Sequence, residues 1–182
     1  MLQAVLGAYG LHAEKCKIEP FGSGLINHTW KVYHESSVYI LQEVNTLVFR
    51  QPQYIAQNIR AIKEYLNETA PGYLFVAPIN TLNGDDFVAV YDHFYRIFPF
   101  IAHSCTIDFV QRPEHAYQAA KQFGQFSRML CAFDVQKLKA TIEDFHNLPL
   151  RVGQFKKAVA KACDKRISDA RFAIKEIIRH DD

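Results

Sequence analysis

The apolar positions of this chain change their spacing several times, and each change marks an element. Leu2, Val5, Leu6 and Tyr9 recur at helical spacing, which predicts a short helix within residues 2–12 ending near Gly10. Beyond it the spacing becomes strand-like. Residues 17–21 read as a first strand, 27–33 as a second and 38–44 as a third, with the polar turn Glu35-Ser36-Ser37 before the third. Pro52 opens a helix, as proline does in a first turn. Ile55, Ile59, Ile62 and Leu66 follow at spacings of four, three and four and make one apolar stripe. Pro71-Gly72 stops that helix. Residues 75–82 read as extended, Asn83-Gly84 as a turn, and 87–91 and 95–101 as two more strands.

After residue 101 the character becomes helical. Pro113 opens a long helix reaching about Met129, with Ala119, Phe123, Phe126, Leu130 and Phe133 as its buried stripe. Residues 145–151 read as a loop, and helices follow over 154–163 and 167–180. The order β-β-β-α-β-β, then helices, makes this an α+β chain: an antiparallel sheet with one helix inserted, then a helical part. The boundary falls near residues 101–108 and separates a sheet lobe, 1–101, from a helical lobe, 102–182.

The turn between the first two strands carries the candidate chemistry. It reads Phe21-Gly22-Ser23-Gly24-Leu25-Ile26-Asn27. A glycine loop between antiparallel strands can close over a nucleotide's phosphates, because its backbone N–H groups approach them closely. The simpler reading is a hairpin turn with no ligand. Asn27 and Thr29 fall on one face of the second strand by alternation, facing either a nucleotide cleft or solvent.

Composition narrows the function classes. A formal charge of +2, with Lys and Arg scattered, argues against a nucleic-acid partner. No apolar run approaches the ~20 residues that span a bilayer, so no membrane partner is expected, and the start has no basic segment of a signal peptide. The four cysteines form no C-x-x-C pair, so zinc is not expected and a reduced, cytoplasmic setting is.

Four segments in order carry a resemblance. Gly22-Ser23-Gly24-Leu25-Ile26-Asn27-His28-Thr29, Tyr39-Ile40-Leu41-Gln42-Glu43-Val44-Asn45, Arg96-Ile97-Phe98 and Phe145-His146-Asn147-Leu148-Pro149-Leu150-Arg151 together resemble the aminoglycoside phosphotransferase and choline kinase superfamily, and within it most the N-acetylhexosamine 1-kinase group. The resemblance implies a protein-kinase-like small lobe, a five-stranded antiparallel sheet plus a helix, followed by the first helices of an incomplete helical lobe. It implies ATP as cofactor, an N-acetylated amino sugar as acceptor, and a nucleotide site at Gly22, Ser23, Gly24, Asn27, Thr29, Ile40 and Gln42. The hinge, Phe98 to Ile101, would bind the adenine edge. Pro99 lacks an N–H, which leaves Phe100 or Ile101 as donor. His146 and Arg151 become candidates for acceptor binding, against a purely structural loop fixed by Pro149.

Two departures qualify that expectation. The third-strand position is usually a lysine paired with the α and β phosphates and a helix carboxylate. Here it is Gln42, as in the hexosamine-kinase group, so Glu64 on the following helix reads as a surface charge. The chain also lacks H-x-D-x-x-x-x-N, and Asp181-Asp182 is a terminal dipeptide. No catalytic or metal-binding residue is therefore assigned, and Mg2+ is expected only with a missing carboxy-terminal part. The leading expectation is the amino-terminal portion of a sugar kinase, inactive alone or completed by a separate chain. The alternative is a non-catalytic nucleotide-binding or interaction module. An incomplete helical lobe would expose an apolar patch, with a homodimer as its possible consequence. Sulfatase chemistry is rejected, because Asn147-Leu148-Pro149-Leu150-Arg151 has asparagine where the nucleophile belongs.

Overall fold

A computed structural model describes residues 1–180; Asp181 and Asp182 lie outside the described residues. The chain falls into two units, Met1–Thr141 and Ile142–Asp182.

The first unit is built on a five-stranded antiparallel sheet of order β1-β2-β3-β5-β4. Its strands are β1 (Cys16–Pro20), β2 (His28–His34), β3 (Ser37–Val44), β4 (Val88–Val90) and β5 (His93–Pro99). The β2–β3 hairpin closes tightly: His34 pairs with Ser37, and Glu35 takes a left-handed φ of 54°. The first three strands pair in sequence order, whereas β5 returns beside β3 and sends β4 to the edge. Asn27 lies just before β2 rather than in it. Residues 75–82 make no ladder, although Ile79 N–H donates to Ile97 O at 2.8 Å. Gly84, at φ 86°, turns the chain there as Asn83-Gly84 predicted.

One face of the sheet is covered by helix α1 (Leu2–Ala8) and the residues after it. Val5, Leu6, Tyr9 and Leu11 are buried against Val32, Leu41, Tyr95 and Ile97. Alternation places the strand members of that core on a single face. Each such side chain contributes about 1.5–3 kcal/mol by leaving water, so this face is the stabilising one. The other face carries Thr29, Lys31, Ile40, Gln42, Arg96 and Phe98, all half-buried.

Helix α2 (Pro52–Thr69) begins at Pro52 and ends before Pro71, as its stripe and prolines predict; Leu66 is its most buried stripe residue. Asn58 exchanges two 2.8 Å hydrogen bonds with the backbone of Lys139. Arg60 pairs with Asp86. Helix α3 (Pro113–Met129) belongs to the same unit, and a short 3-10 turn (Val135–Lys137) follows it. Its expected stripe is only partly realised. Phe126 stacks near Tyr73 and Phe75, and Phe133 meets Tyr65 edge-on at 5.2 Å. Ala119 is exposed and Phe123 is 74% exposed, because the aromatic partners cluster only at the far end of the stripe.

The second unit is helical: α4 (Leu148–Lys161), α5 (Asp164–Asp169) and α6 (Arg171–Arg179). The expected loop at 145–151 is in part the first turn of α4. Asn147 is its N-cap, accepting from Leu150 N–H at 3.1 Å, and Pro149 sits in the first turn. The expected helix over 167–180 is broken, since α5 ends at Asp169 and α6 starts at Arg171. No described residue of this unit is fully buried; Phe145, Leu148, Phe172, Ile177 and Ile178 are exposed. Among the described residues, no helix is long and apolar enough to cross a membrane.

Candidate functional site

The glycine loop joins β1 to β2 and is tied down at both ends. Phe21 N–H donates to Thr29 O at 2.9 Å and closes the hairpin. Gly22 has φ 81°, a left-handed conformation that a side chain would strain. At the far end, Asn27 Oδ1 accepts from Asn45 N–H at 3.0 Å, and Asn45 Nδ2 donates to Ile26 O at 3.1 Å. Between these anchors Gly22, Ser23, Gly24 and Leu25 are exposed. Ser23 Oγ is 3.4 Å from Asp108 Oδ1, so its hydroxyl already has a weak acceptor. Asn27 thus fixes the loop to the end of β3.

On the face opposite α1, register assembles two rows across β2, β3 and β5. The first is Thr29, Gln42 and Arg96. Arg96 donates to Gln42 Oε1 through Nε at 3.1 Å and Nη2 at 2.7 Å, and Gln42 Nε2 donates to Thr29 Oγ1 at 3.4 Å. Burial lowers the Arg96 pKa from its usual value, yet a guanidinium remains a cation at neutral pH. Its plane lies 5.0 Å from the Phe98 ring centre.

The second row is Lys31, Ile40 and Phe98, two residues further from the loop on each strand. Lys31 Nζ sits 3.9 Å above the Phe100 ring, with Tyr33 at 5.2 Å and Phe21 at 5.8 Å. Such contacts let the lysine stem cover apolar surface while the rings hold its charge. The face is therefore graded: polar, with Arg96, in the row next to the loop, and aromatic and aliphatic around the single cation Lys31 in the next.

The hinge is narrower than expected. Phe100 N–H donates to Val38 O at 3.1 Å, so it is already used. Pro99 has no N–H. Of the hinge donors weighed from sequence, Ile101 N–H is left to an incoming base edge. Ile101 O accepts from Ser104 Oγ at 2.6 Å.

His146 and Arg151 belong to the second unit. The His146 ring meets Phe145 edge-on at 4.8 Å. Arg151 donates to Gln154 Oε1 at 3.0 Å and to Asp144 O at 3.2 Å. Both are exposed, and Arg151 is engaged at the start of α4. Glu64 is exposed as well. Among the described residues, no group of three or more His, Cys, Asp or Glu is arranged to hold a metal ion. Two cavities of about 330 Å³ occur in the first unit, one beside α2 and one beside Asn45 and His93; neither is lined by the two rows.

The structure of spectinomycin phosphotransferase, APH(9)-Ia, in complex with ADP and spectinomycin, is similar over 98% of this chain and 54% of its own, with a TM-score of 0.60 and 15% identity. The chain has the α+β fold of a kinase-like small lobe followed by helices. It spans about half the length of that neighbour, 54%. A microcompartment-associated aminopropanol kinase is similar over 72% of this chain and 39% of its own, at 14% identity and a TM-score of 0.48. No protein-family model matches the sequence.

Within this kinase-like small lobe, Lys31 and Arg96 are the residues that sequence reasoning did not single out as site residues. Alternation from Thr29 reaches Lys31 on the same face, and alternation from Phe98 reaches Arg96. What alternation could not supply was the β3–β5 register that sets Arg96 against Gln42.

Proposed function

We propose that residues 1–101 are the nucleotide-binding lobe of an ATP-dependent small-molecule kinase, and that 102–182 begin the lobe that holds its acceptor. The observation that carries this reading is the graded face under the glycine loop. Gly22, Ser23 and Gly24 belong to the loop that leads into β2, where Thr29 and Gln42 form the row nearest to it. Ile40 and Phe98 supply the apolar part of the second row, beside Lys31, and Ile101 offers a backbone donor at the hinge. Loop, polar row, apolar row and hinge occur in the order of a nucleotide's phosphates, sugar and base. The ADP bound by the spectinomycin phosphotransferase supports the same assignment. Asn27 acts indirectly, by fixing the loop, and Phe100 contributes its ring rather than its N–H.

The acceptor in this reading is an N-acetylhexosamine-type sugar, a choice that rests on the sequence resemblance and the Gln42 departure it includes. His146 and Arg151 are its candidate contacts. The setting is cytoplasmic. Phosphoryl transfer needs a positioned base and metal-held charge, and the 182 residues contain neither motif. This chain alone is therefore expected to bind nucleotide without transferring phosphate, with Mg2+ entering only through ligands supplied elsewhere. That expectation also favours the second reading, a non-catalytic nucleotide-binding or interaction module of the same fold.

Calorimetric titration of the 182-residue chain with ATP and ADP tests the shared claim. Saturable one-to-one binding supports it; no binding of either at millimolar concentration refutes it. Incubation with ATP, Mg2+ and N-acetylhexosamines is expected to give no sugar phosphate. Turnover by this chain would contradict its assignment as non-catalytic.

A further inference from the structure

We propose that Arg96 of β5 supplies the cationic contact to the nucleotide's phosphates in place of a β3 lysine, with Gln42 and Thr29 as its positioning residues. The inference rests on the nucleotide reading above and deepens it.

Position comes first. Arg96 is the register partner of Gln42, the residue standing where the β3 lysine is expected. Its side chain belongs to the row nearest the glycine loop along β2. A charge moved one strand across remains on the same face and in the same row.

Two arginines of the first unit, Arg60 and Arg96, differ in their partners. Exposed Arg60 has a carboxylate, Asp86. Half-buried Arg96 has the neutral Gln42 amide and the Phe98 ring; among the described residues no carboxylate pairs with it. A desolvated cation without a counter-charge is unfavourable unless an anion completes it. Its Nε–Nη2 edge is taken by Gln42, while Nη1 makes no hydrogen bond to a described residue. A phosphate oxygen suits that remaining edge, because guanidinium donors bind such oxygens in a fork.

The same geometry explains the glutamine. A lysine at residue 42 would set a second cation against Arg96. A glutamate would neutralise it. Glutamine accepts from Arg96 through Oε1 and is held in that orientation by donating to Thr29, leaving the positive charge uncancelled.

The test compares ADP with adenosine in calorimetric titrations of the full 182-residue chain, since the two differ only in the diphosphate. The wild-type protein is expected to favour ADP at least tenfold. Arg96→Gln is expected to bring that preference close to one while adenosine affinity stays unchanged. The double variant Gln42→Lys/Arg96→Gln is expected to recover most of it by returning the charge to β3. An Arg96→Gln variant that keeps the wild-type preference overturns the proposal. If that variant loses adenosine binding, and so its fold, the Arg96 Nε–H resonance of the wild-type protein decides. It should move on saturation with ADP and not with adenosine; a resonance unmoved by ADP overturns the proposal. Failure of both ligands to bind the wild type defeats the underlying nucleotide reading and this inference with it, which is distinguishable from loss of the ADP preference alone.

Discussion

Asn45 holds the end of the glycine loop from both sides: its N–H donates to Asn27 Oδ1 at 3.0 Å and its side-chain amide donates to Ile26 O at 3.1 Å. A third bond, from Leu47 N–H to Asn45 Oδ1 at 3.0 Å, fixes the asparagine itself. The loop is thus pinned at its root and open at its tip, an arrangement suited to closing over a ligand. Asn27→Ala removes the acceptor and orphans a part-buried N–H, so it should destabilise by about 1–2 kcal/mol. Asn27→Asp retains an acceptor and should recover most of the loss. Urea unfolding midpoints of the two variants check this, and equal midpoints would contradict it.

Gln42 separates stability from binding. Gln42→Leu leaves the Nε and Nη2 donors of Arg96 without their acceptor and should cost about 1.5–3 kcal/mol. Gln42→Glu gives Arg96 a charged partner and should leave the thermal midpoint equal to or above wild type. It should nevertheless weaken ADP binding, because a carboxylate now sits in the phosphate row. Thermal unfolding and calorimetry on the same samples read both effects. A glutamate variant that binds ADP more tightly would contradict the assignment of this row.

Tyr9 gives the first unit an alkaline limit. Burial pushes its phenol up from 10.0 to about 12, and its hydroxyl donates to Tyr95 O at 3.4 Å. Since the folded-state pKa is above the unfolded one, the folded chain holds the proton more tightly. That stability is fully present below pH 10 and is lost as pH rises toward about 12. Tyr9→Phe should flatten the decline in stability over that window, at a loss of about 0.5–1 kcal/mol at pH 7 for the missing hydrogen bond. Chemical denaturation at pH 8 and pH 11 measures the slope; identical slopes for both proteins would contradict this account.

Helices α2 and α3 should respond oppositely to truncation of an apolar residue. Leu66 is 2% exposed and Phe123 is 74% exposed. Leu66→Ala should cost about 2–5 kcal/mol, whereas Phe123→Ser should stay within about 0.5 kcal/mol of wild type. Sedimentation velocity of the Phe123→Ser chain also tests self-association through the exposed helical surface. A wild-type dimer that becomes monomeric in the variant supports it, and a monomeric wild type at high concentration counts against it.

The sheet was legible from the sequence because its information is local. Alternation over 27–33 and 38–44, the glycine loop, and the stripe from Ile55 to Leu66 each announce themselves within a few residues. The return of β5 beside β3 was not legible, because that pairing joins residues far apart in the chain. For the same reason Gln42 was noticed as a departure without the partner that accounts for it. The Asn147 cap was missed because Pro149 reads equally well as a loop breaker and as a first-turn residue. Phe123 was expected in a buried stripe because helical spacing reports which residues share a face, and says nothing of whether that face is covered.

The most direct measurement is a 1H–15N correlation spectrum of the labelled chain during titration with ADP. The account predicts saturable shifts concentrated at Gly22, Ser23, Gly24, Gln42 and the Ile101 N–H, with little change at Val5, Leu6 and Leu11 on the opposite face of the sheet. Shifts confined to that opposite face, or none at saturating ADP, would contradict the assignment of the glycine-loop face as a nucleotide site.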